Sequence, residues 1–266
     1  MIFISHQHKD KDFVGEIARA LEENYGEDKV FYDDWSIKPG ENIISRMSEG
    51  ILECEFFFFI ITENSLKSEM VTMEWTSALR EKSKREIKFI PVRADNVNPP
   101  TIISALNYLD LYNQGMEVTI KQIMDIVSGA EKEKDYPTFN NLISYVHEVS
   151  SYELHFYITV KRFYEPNGKF IIFTDLNENQ ASLEKDDGTM FGTKFIKEVE
   201  LDRNRTLNAF SIDTLQGIKK GFKVKLVFKK NVSGNHTAIL FHLKSETKGV
   251  PIQMKVVRDL KEIPEL

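Results

Sequence analysis

Apolar residues in the first half of the chain fall into short continuous runs separated by amphipathic stretches, the pattern of a parallel sheet wrapped by helices. The runs predict strands at Ile2–Ser5, Lys29–Tyr32, Phe56–Thr62, Lys88–Val92 and Tyr108–Leu111. A first helix follows from the helical spacing of Phe13, Ile17, Ala20 and Leu21, opened by Asp10 and Asp12, whose carboxylates suit the positive end of a helix dipole. Asn42, after the turn Pro39-Gly40, is a plausible cap for a second helix carrying Ile43, Ile44, Met47 and Ile51. A third, over residues 68–81, places Val71, Trp75, Ala78 and Leu79 on one stripe, and Glu74 falls beside Ala78 at the edge of that stripe. A last helix near Glu117–Val127 ends in Ser128-Gly129-Ala130, and the charged run Glu131–Asp135 before Pro137 marks a linker. Residues 1–130 are thus expected to form a doubly wound domain around a five-stranded parallel sheet, joined by a linker at 131–137 to whatever follows.

Beyond Pro137 the period changes. Phe139–Val149 reads as one more helix, and the rest as short strands at Leu154–Val160, Lys169–Phe173, Gly192–Val199, Thr206–Ile212, Phe222–Phe228, Thr237–Leu243 and Pro251–Val257. Turn sequences punctuate them, among them Pro166-Asn167-Gly168 and Ser233-Gly234-Asn235. Residues 138–266 are therefore expected to form a mainly antiparallel β sandwich or barrel.

With 266 residues, 41% of them hydrophobic, the chain can bury two cores. Charge is uneven: residues 1–135 carry 16 basic against 25 acidic side chains, net −9, and the remainder 19 against 16, net +3. An acidic first half argues against a nucleic-acid partner, and an excess of three positive charges does not create one. The longest apolar run, Phe56–Ile61, is too short to span a bilayer. Met1–Ile4 leads into polar residues without a secretory leader, so a cytoplasmic protein without a membrane partner is expected. The single cysteine, Cys54, sits among apolar neighbours and reads as a packed core thiol. Six histidines and one cysteine show no zinc spacing, so no metal is expected, and no Gly-x-Gly-x-x-Gly cradle for hydride-transfer chemistry is present.

In an open parallel sheet ligands bind beyond the carboxyl ends of the strands, where the order of connection switches. Three polar segments converge on that edge: Ser5–Asp10 after the first strand, Asp33–Gly40 after the second and Thr62–Ser65 after the third. Within them, Ile2-Phe-Ile-Ser-His6, Phe31-Tyr-Asp-Asp-Trp-Ser-Ile-Lys-Pro-Gly-Glu-Asn-Ile43 and Ser68-x-x-Val71-x-x-Glu74-Trp75 together resemble a bacterial Toll/interleukin receptor (TIR) domain, over roughly residues 1–130. The resemblance implies a flavodoxin-like fold and an NAD+ nucleosidase, either a glycohydrolase or an ADP-ribosyl cyclase, that uses NAD+ as substrate without a separate cofactor. It makes Glu74 the catalytic carboxylate; on pattern alone, a helical glutamate reads as a solvated, salt-bridging surface residue. Ser5, His6, Asp33, Trp35 and Ser36 would bind substrate. Trp35 would stack on a ring of NAD+, or else pack against its own loop. Ser5 and His6 would touch ribose or phosphate, or else Ser5 and Asp10 would merely cap the first helix. Some TIR enzymes have tryptophan four positions before the glutamate; this chain has Met70 there, so that aromatic wall must come from elsewhere.

The resemblance also implies self-association through TIR domains, anti-phage defence or signalling as the setting, and an activating ligand or phage protein engaging residues 138–266 as a sensor or oligomerisation domain. Two alternatives stand beside it. A nucleoside deoxyribosyltransferase uses a glutamate on a related fold, and a non-enzymatic TIR adaptor would act through TIR–TIR assembly alone. A phosphoacceptor receiver domain is excluded by Ser5-His6 and Thr62-Glu63, where it needs acidic residues and an aspartate.

Overall fold

The computed structural model describes residues 1–32, 42–130, 140–186, 191–202, 205–245 and 248–264. The chain divides into two compact units, residues 1–138 and 139–266. The expected linker at 131–137 lies outside the described residues. No described helix is long and apolar enough to cross a membrane.

The first unit is built on four parallel strands, β1 (Ile2–Ser5), β2 (Val30–Phe31), β3 (Phe56–Ile61) and β4 (Lys88–Arg93), in the order β2-β1-β3-β4. The expected fifth strand is reduced to one parallel bridge from Leu109 to Val92, with Leu109 N–H donating to the Pro91 carbonyl at 2.9 Å. Its physical limit is Asp110, whose side chain caps the short helix Leu111–Gln114 as soon as the bridge is made. Helices α1 (Lys11–Tyr25), α2 (Ile43–Glu53), α3 (Glu63–Leu66), α4 (Glu69–Lys82), α5 (Leu111–Gln114) and α6 (Met116–Ser128) complete the unit. The expected helices are present, with ends shifted by a residue or two.

Strand register lines up four phenyl rings across the sheet. Phe31, Phe3, Phe57 and Phe89 stack in sequence at centroid separations of 4.7, 5.0 and 5.3 Å, and Trp75 of α4 lies on Phe59 at 5.8 Å. The six residues of β3 are all buried, which explains a run with no polar alternation. Gly50 lets α2 approach this ladder: a Cβ there would lie 2.8 Å from Phe31 Cδ2 and 3.0 Å from Phe3 Cε2. Alanine normally favours a helix over glycine, but two packed rings would have to move, so Gly50→Ala is expected to destabilise the unit by about 1–3 kcal/mol. A Tm equal to or above the parent's would contradict this packing. Cys54 is fully buried, its thiol donates to the Ile51 carbonyl at 3.3 Å, and burial raises its pKa, so it stays protonated.

The second unit is a sandwich of two five-stranded sheets. One has the order β13-β12-β7-β10-β9 and the other β14-β5-β6-β11-β8, with β5 (Leu142–Ser150), β6 (Glu153–Val160), β7 (Lys169–Thr174), β8 (Ala181–Lys185), β9 (Gly192–Asp202), β10 (Arg205–Asp213), β11 (Val224–Lys230), β12 (Ile239–Leu243), β13 (Gly249–Pro251) and β14 (Gln253–Val257). All pairs are antiparallel except β14 with β5. The helix expected over 139–149 is β5. Leu142 and Val146 enter the core between the sheets, while Ile143 and Tyr145 pack with Val257 and Ile263 on the other face. Burial on both faces removed the alternation that would have marked a strand. The single strand expected at 251–257 is divided at buried Ile252, where the chain passes from one sheet to the other. Phe222 precedes β11 and is exposed, while Phe156 is core and Tyr157 half-buried.

Candidate active site

The chain runs from β1 through α1 to β2 on one side of the sheet, then through α2 to β3 on the other side of β1. The connection thus switches direction between β1 and β3, and their carboxyl ends, Ser5 and Thr62, flank the position where such folds bind ligands.

Glu74 is delivered to that edge by packing. Ser68 caps α4 with its hydroxyl accepting from the Val71 amide at 3.4 Å, and acidic Glu69 in the first turn with Arg80 and Lys82 in the last complements the helix dipole. Val71, Trp75 and Ala78 are buried against the sheet and fix the helix's rotation, which turns Glu74 inward to only 5% exposure. Ser5, 1% exposed at the end of β1, donates its hydroxyl to Glu74 Oε2 at 2.6 Å. Two residues 69 positions apart therefore form one buried polar pair. Ser5 does not merely cap a helix; it reaches the carboxylate.

His6 follows on the same strand end and is buried. Its ring stacks on Tyr32 at 4.7 Å with planes 9° apart, and Nδ1 lies 3.4 Å from the Ile4 carbonyl. Tyr32 in turn donates its hydroxyl to the Lys11 carbonyl at 3.1 Å, tying the end of β2 to the start of α1. Asp33, Trp35 and Ser36 lie outside the described residues. Met70, four positions before Glu74, is 40% exposed.

The sequence pattern does not reveal what Asp10 does. It stands at the N-cap position of α1 but makes no side-chain cap bond there. Its buried carboxylate instead accepts from Thr62 Oγ1 at 2.6 Å and Asn64 Nδ2 at 2.7 Å. Thr62 also closes a capping box with Ser65 that starts α3. Asp10 therefore clamps the loop after β1 to the loop after β3. Thr62 and Asn64 flanking Glu63 gave a signal for a cap, but none for its partner across the sheet. A cleft of about 920 Å³, lined by Glu55, Phe56 and Lys82–Lys88, lies at the amino ends of β3 and β4, the opposite edge from Ser5.

A doubly wound α/β domain whose switch point presents a buried carboxylate with a hydroxyl donor is a fold suited to binding and acting on a polar small molecule. The sequence profile of the TIR domain family matches residues 2–124, and this part of the chain is a TIR domain. The chain is similar to a probable 2′ cyclic ADP-D-ribose synthase of Methanobrevibacter olleyae, 33% identical over 95 residues that make up 35% of this chain and 27% of that protein. It is also similar to an NAD(+) hydrolase of Paracoccus denitrificans, 29% identical over 34% of this chain and 30% of the relative. A probable 2′ cyclic ADP-D-ribose synthase of Brucella abortus is 24% identical over 34% and 36%. The matches span about a third or less of the first two relatives' lengths.

Proposed function

We propose that the TIR domain cleaves the bond between nicotinamide and ribose in NAD+, with Glu74 as the catalytic carboxylate. The observation that carries this reading is the buried hydrogen bond from Ser5 to Glu74 at the switch point of the sheet. The three relatives named for NAD+ hydrolysis or cyclic ADP-ribose synthesis support the choice of substrate.

The chemistry asks for one acid residue. As the glycosidic C–N bond breaks, its electron pair neutralises the pyridinium nitrogen, so nicotinamide leaves without needing a proton. Positive charge develops on the ribose, and a carboxylate at its face stabilises that charge while holding a ribose hydroxyl. The bond at the anomeric carbon is then completed by water, giving ADP-ribose and a proton, or by a nucleophile within the same molecule, giving a cyclic product. The Ser5 hydroxyl bonded to Glu74 Oε2 helps to hold the carboxylate in one orientation. His6, Asp33, Trp35 and Ser36 complete the proposed substrate site, and no separate cofactor takes part.

Ser5→Ala removes the hydroxyl without crowding the site. It is expected to lower kcat by about tenfold, the loss of one hydrogen bond to a charged group, with a smaller change in KM. Ser5→Thr, which keeps the hydroxyl, should recover part of it. Equal kcat in parent and Ser5→Ala would separate Ser5 from the chemistry. Incubation with NAD+, with nicotinamide, ADP-ribose and cyclic products resolved by chromatography, tests the activity itself.

A second reading, assembly without catalysis, draws on the exposed apolar residues Ile43 and Ile44 of α2 and Met73 of α4. We place self-association through the TIR domain on that surface, and regulation by an activating ligand or phage protein on the second unit, within a cytoplasmic defence or signalling role. An adaptor of this kind would assemble and leave NAD+ intact.

A further inference from the structure

Among the described residues, β9 is the outermost strand of its sheet and is bonded only to β10. It is 11 residues long, and Lys194, Lys197, Glu198 and Glu200 along it are exposed. A strand with an unbonded side is a template for another strand. Lysines and bulges commonly blunt such an edge, and β9 has both. Their arrangement here, however, does something else.

Phe195 faces the core opposite Phe210, while Ile196 faces outward opposite Ala209. The register then slips: Val199 is next, opposite Leu207, and Glu198 adopts a left-handed φ of 55° with its N–H donating to Asn208 Oδ1 at 3.1 Å. This bulge inserts one residue, so the outward positions are 194 and 196 before it and 199 and 201 after it. Residues opposed across an antiparallel pair share a face. For β9 pairing with itself, the bulge therefore selects registers in which an even-numbered residue before it meets an odd-numbered one after it. The register centred on the bulge sets Ile196 opposite Val199 of the second copy and Lys197 opposite Glu198 of the second copy, each twice by symmetry. Ile196, Val199 and Leu201 already belong to an apolar outer face built on Ile171, Phe173 and Ala209, and the pairing continues that face across the two-fold axis. Within one chain Lys197 and Glu198 contact each other at 3.6 Å with about 70% of each side chain exposed, a solvated pair that holds little energy and leaves both available.

We propose that the second unit dimerises through β9, antiparallel to β9 of a second copy of this chain, with Lys197 and Glu198 of each chain paired across the axis.

The test uses the full chain and its charge variants. Sedimentation velocity over a concentration series should show a dimer for the parent, and both Lys197→Glu and Glu198→Lys should weaken it by about tenfold as two attractive pairs become repulsive. Mixing the two variants should restore dimers, because each supplies the charge that the other lacks, and the double variant carrying both substitutions should dimerise like the parent. Recovery on mixing cannot come from a misfolded chain or from an interface elsewhere. A parent that stays monomeric, variants that dimerise as it does, or a mixture that stays as weak as its components would each overturn the proposal.

Discussion

Glu74→Gln is expected to abolish most NAD+ cleavage, lowering kcat by about 10²–10³-fold or more while leaving the fold intact. Glutamine has the same shape, and its amide oxygen can still accept the Ser5 hydroxyl now bonded to Oε2. The packing that holds α4 in place, Trp75 on Phe59 and Val71 and Ala78 against the sheet, does not involve the charge. What is removed is the negative charge proposed to stabilise the positive charge that develops on the ribose. Because that interaction exists mainly in the transition state, the loss should fall on kcat with KM less affected. An unchanged Tm together with unchanged nicotinamide release would detach Glu74 from the reaction.

Lys244→Met is expected to destabilise the second unit by about 3 kcal/mol at neutral pH. Glu165 is 1% exposed, its Oε2 is 3.1 Å from Lys244 Nζ, and burial raises its pKa, with Lys244 pulling the other way. Without the ammonium, only the weaker pull of hydrogen bonds from Asn167 and Asn141 opposes desolvation, and the folded-state pKa rises further. A carboxyl that binds its proton more tightly folded than unfolded adds no penalty below the unfolded value of about 4.3, and an increasing one as pH rises toward and through the folded value. The Tm difference between parent and variant should therefore shrink as pH is lowered toward that value. His242, which burial pulls down to about 3 with Lys244 adding to the effect, is neutral over this window in the parent. Adding Glu165→Gln to Lys244→Met should recover part of the loss, because no charge is then buried alone. A Tm difference that is independent of pH would mean that Lys244 contributes packing rather than charge compensation.

The α/β unit was legible because its elements carry one-sided signals. The stripe of Val71, Trp75 and Ala78 identified α4 and set Glu74 at its margin, and the unbroken Phe56–Ile61 run identified a strand buried on both sides. The polar contacts were not legible. Ser5 and Glu74 are distant in sequence, and Asp10 looked like a helix cap until Thr62 and Asn64 were seen to donate to it. Leu109 shows a further limit, since a segment with strand composition makes a single bridge when the following residue caps a helix. In the sandwich, β5 hid because both its faces are covered, and β8 because only Leu183 and Lys185 of its five residues are buried. A strand that changes sheets at Ile252 has a continuous sequence pattern and no turn residue to announce the division. The proposed substrate residues Asp33, Trp35 and Ser36 rest on resemblance alone.

The proposed role of the buried Glu74 carboxylate is to drive cleavage of NAD+. It is tested most directly by incubating equally folded parent and Glu74→Gln proteins with NAD+ over a series of protein concentrations and measuring nicotinamide by chromatography. The expected result is nicotinamide release by the parent, rising with concentration if protomers must assemble, and near loss of that release in the variant. No release by the parent at any concentration, or equal release by both proteins, would contradict it.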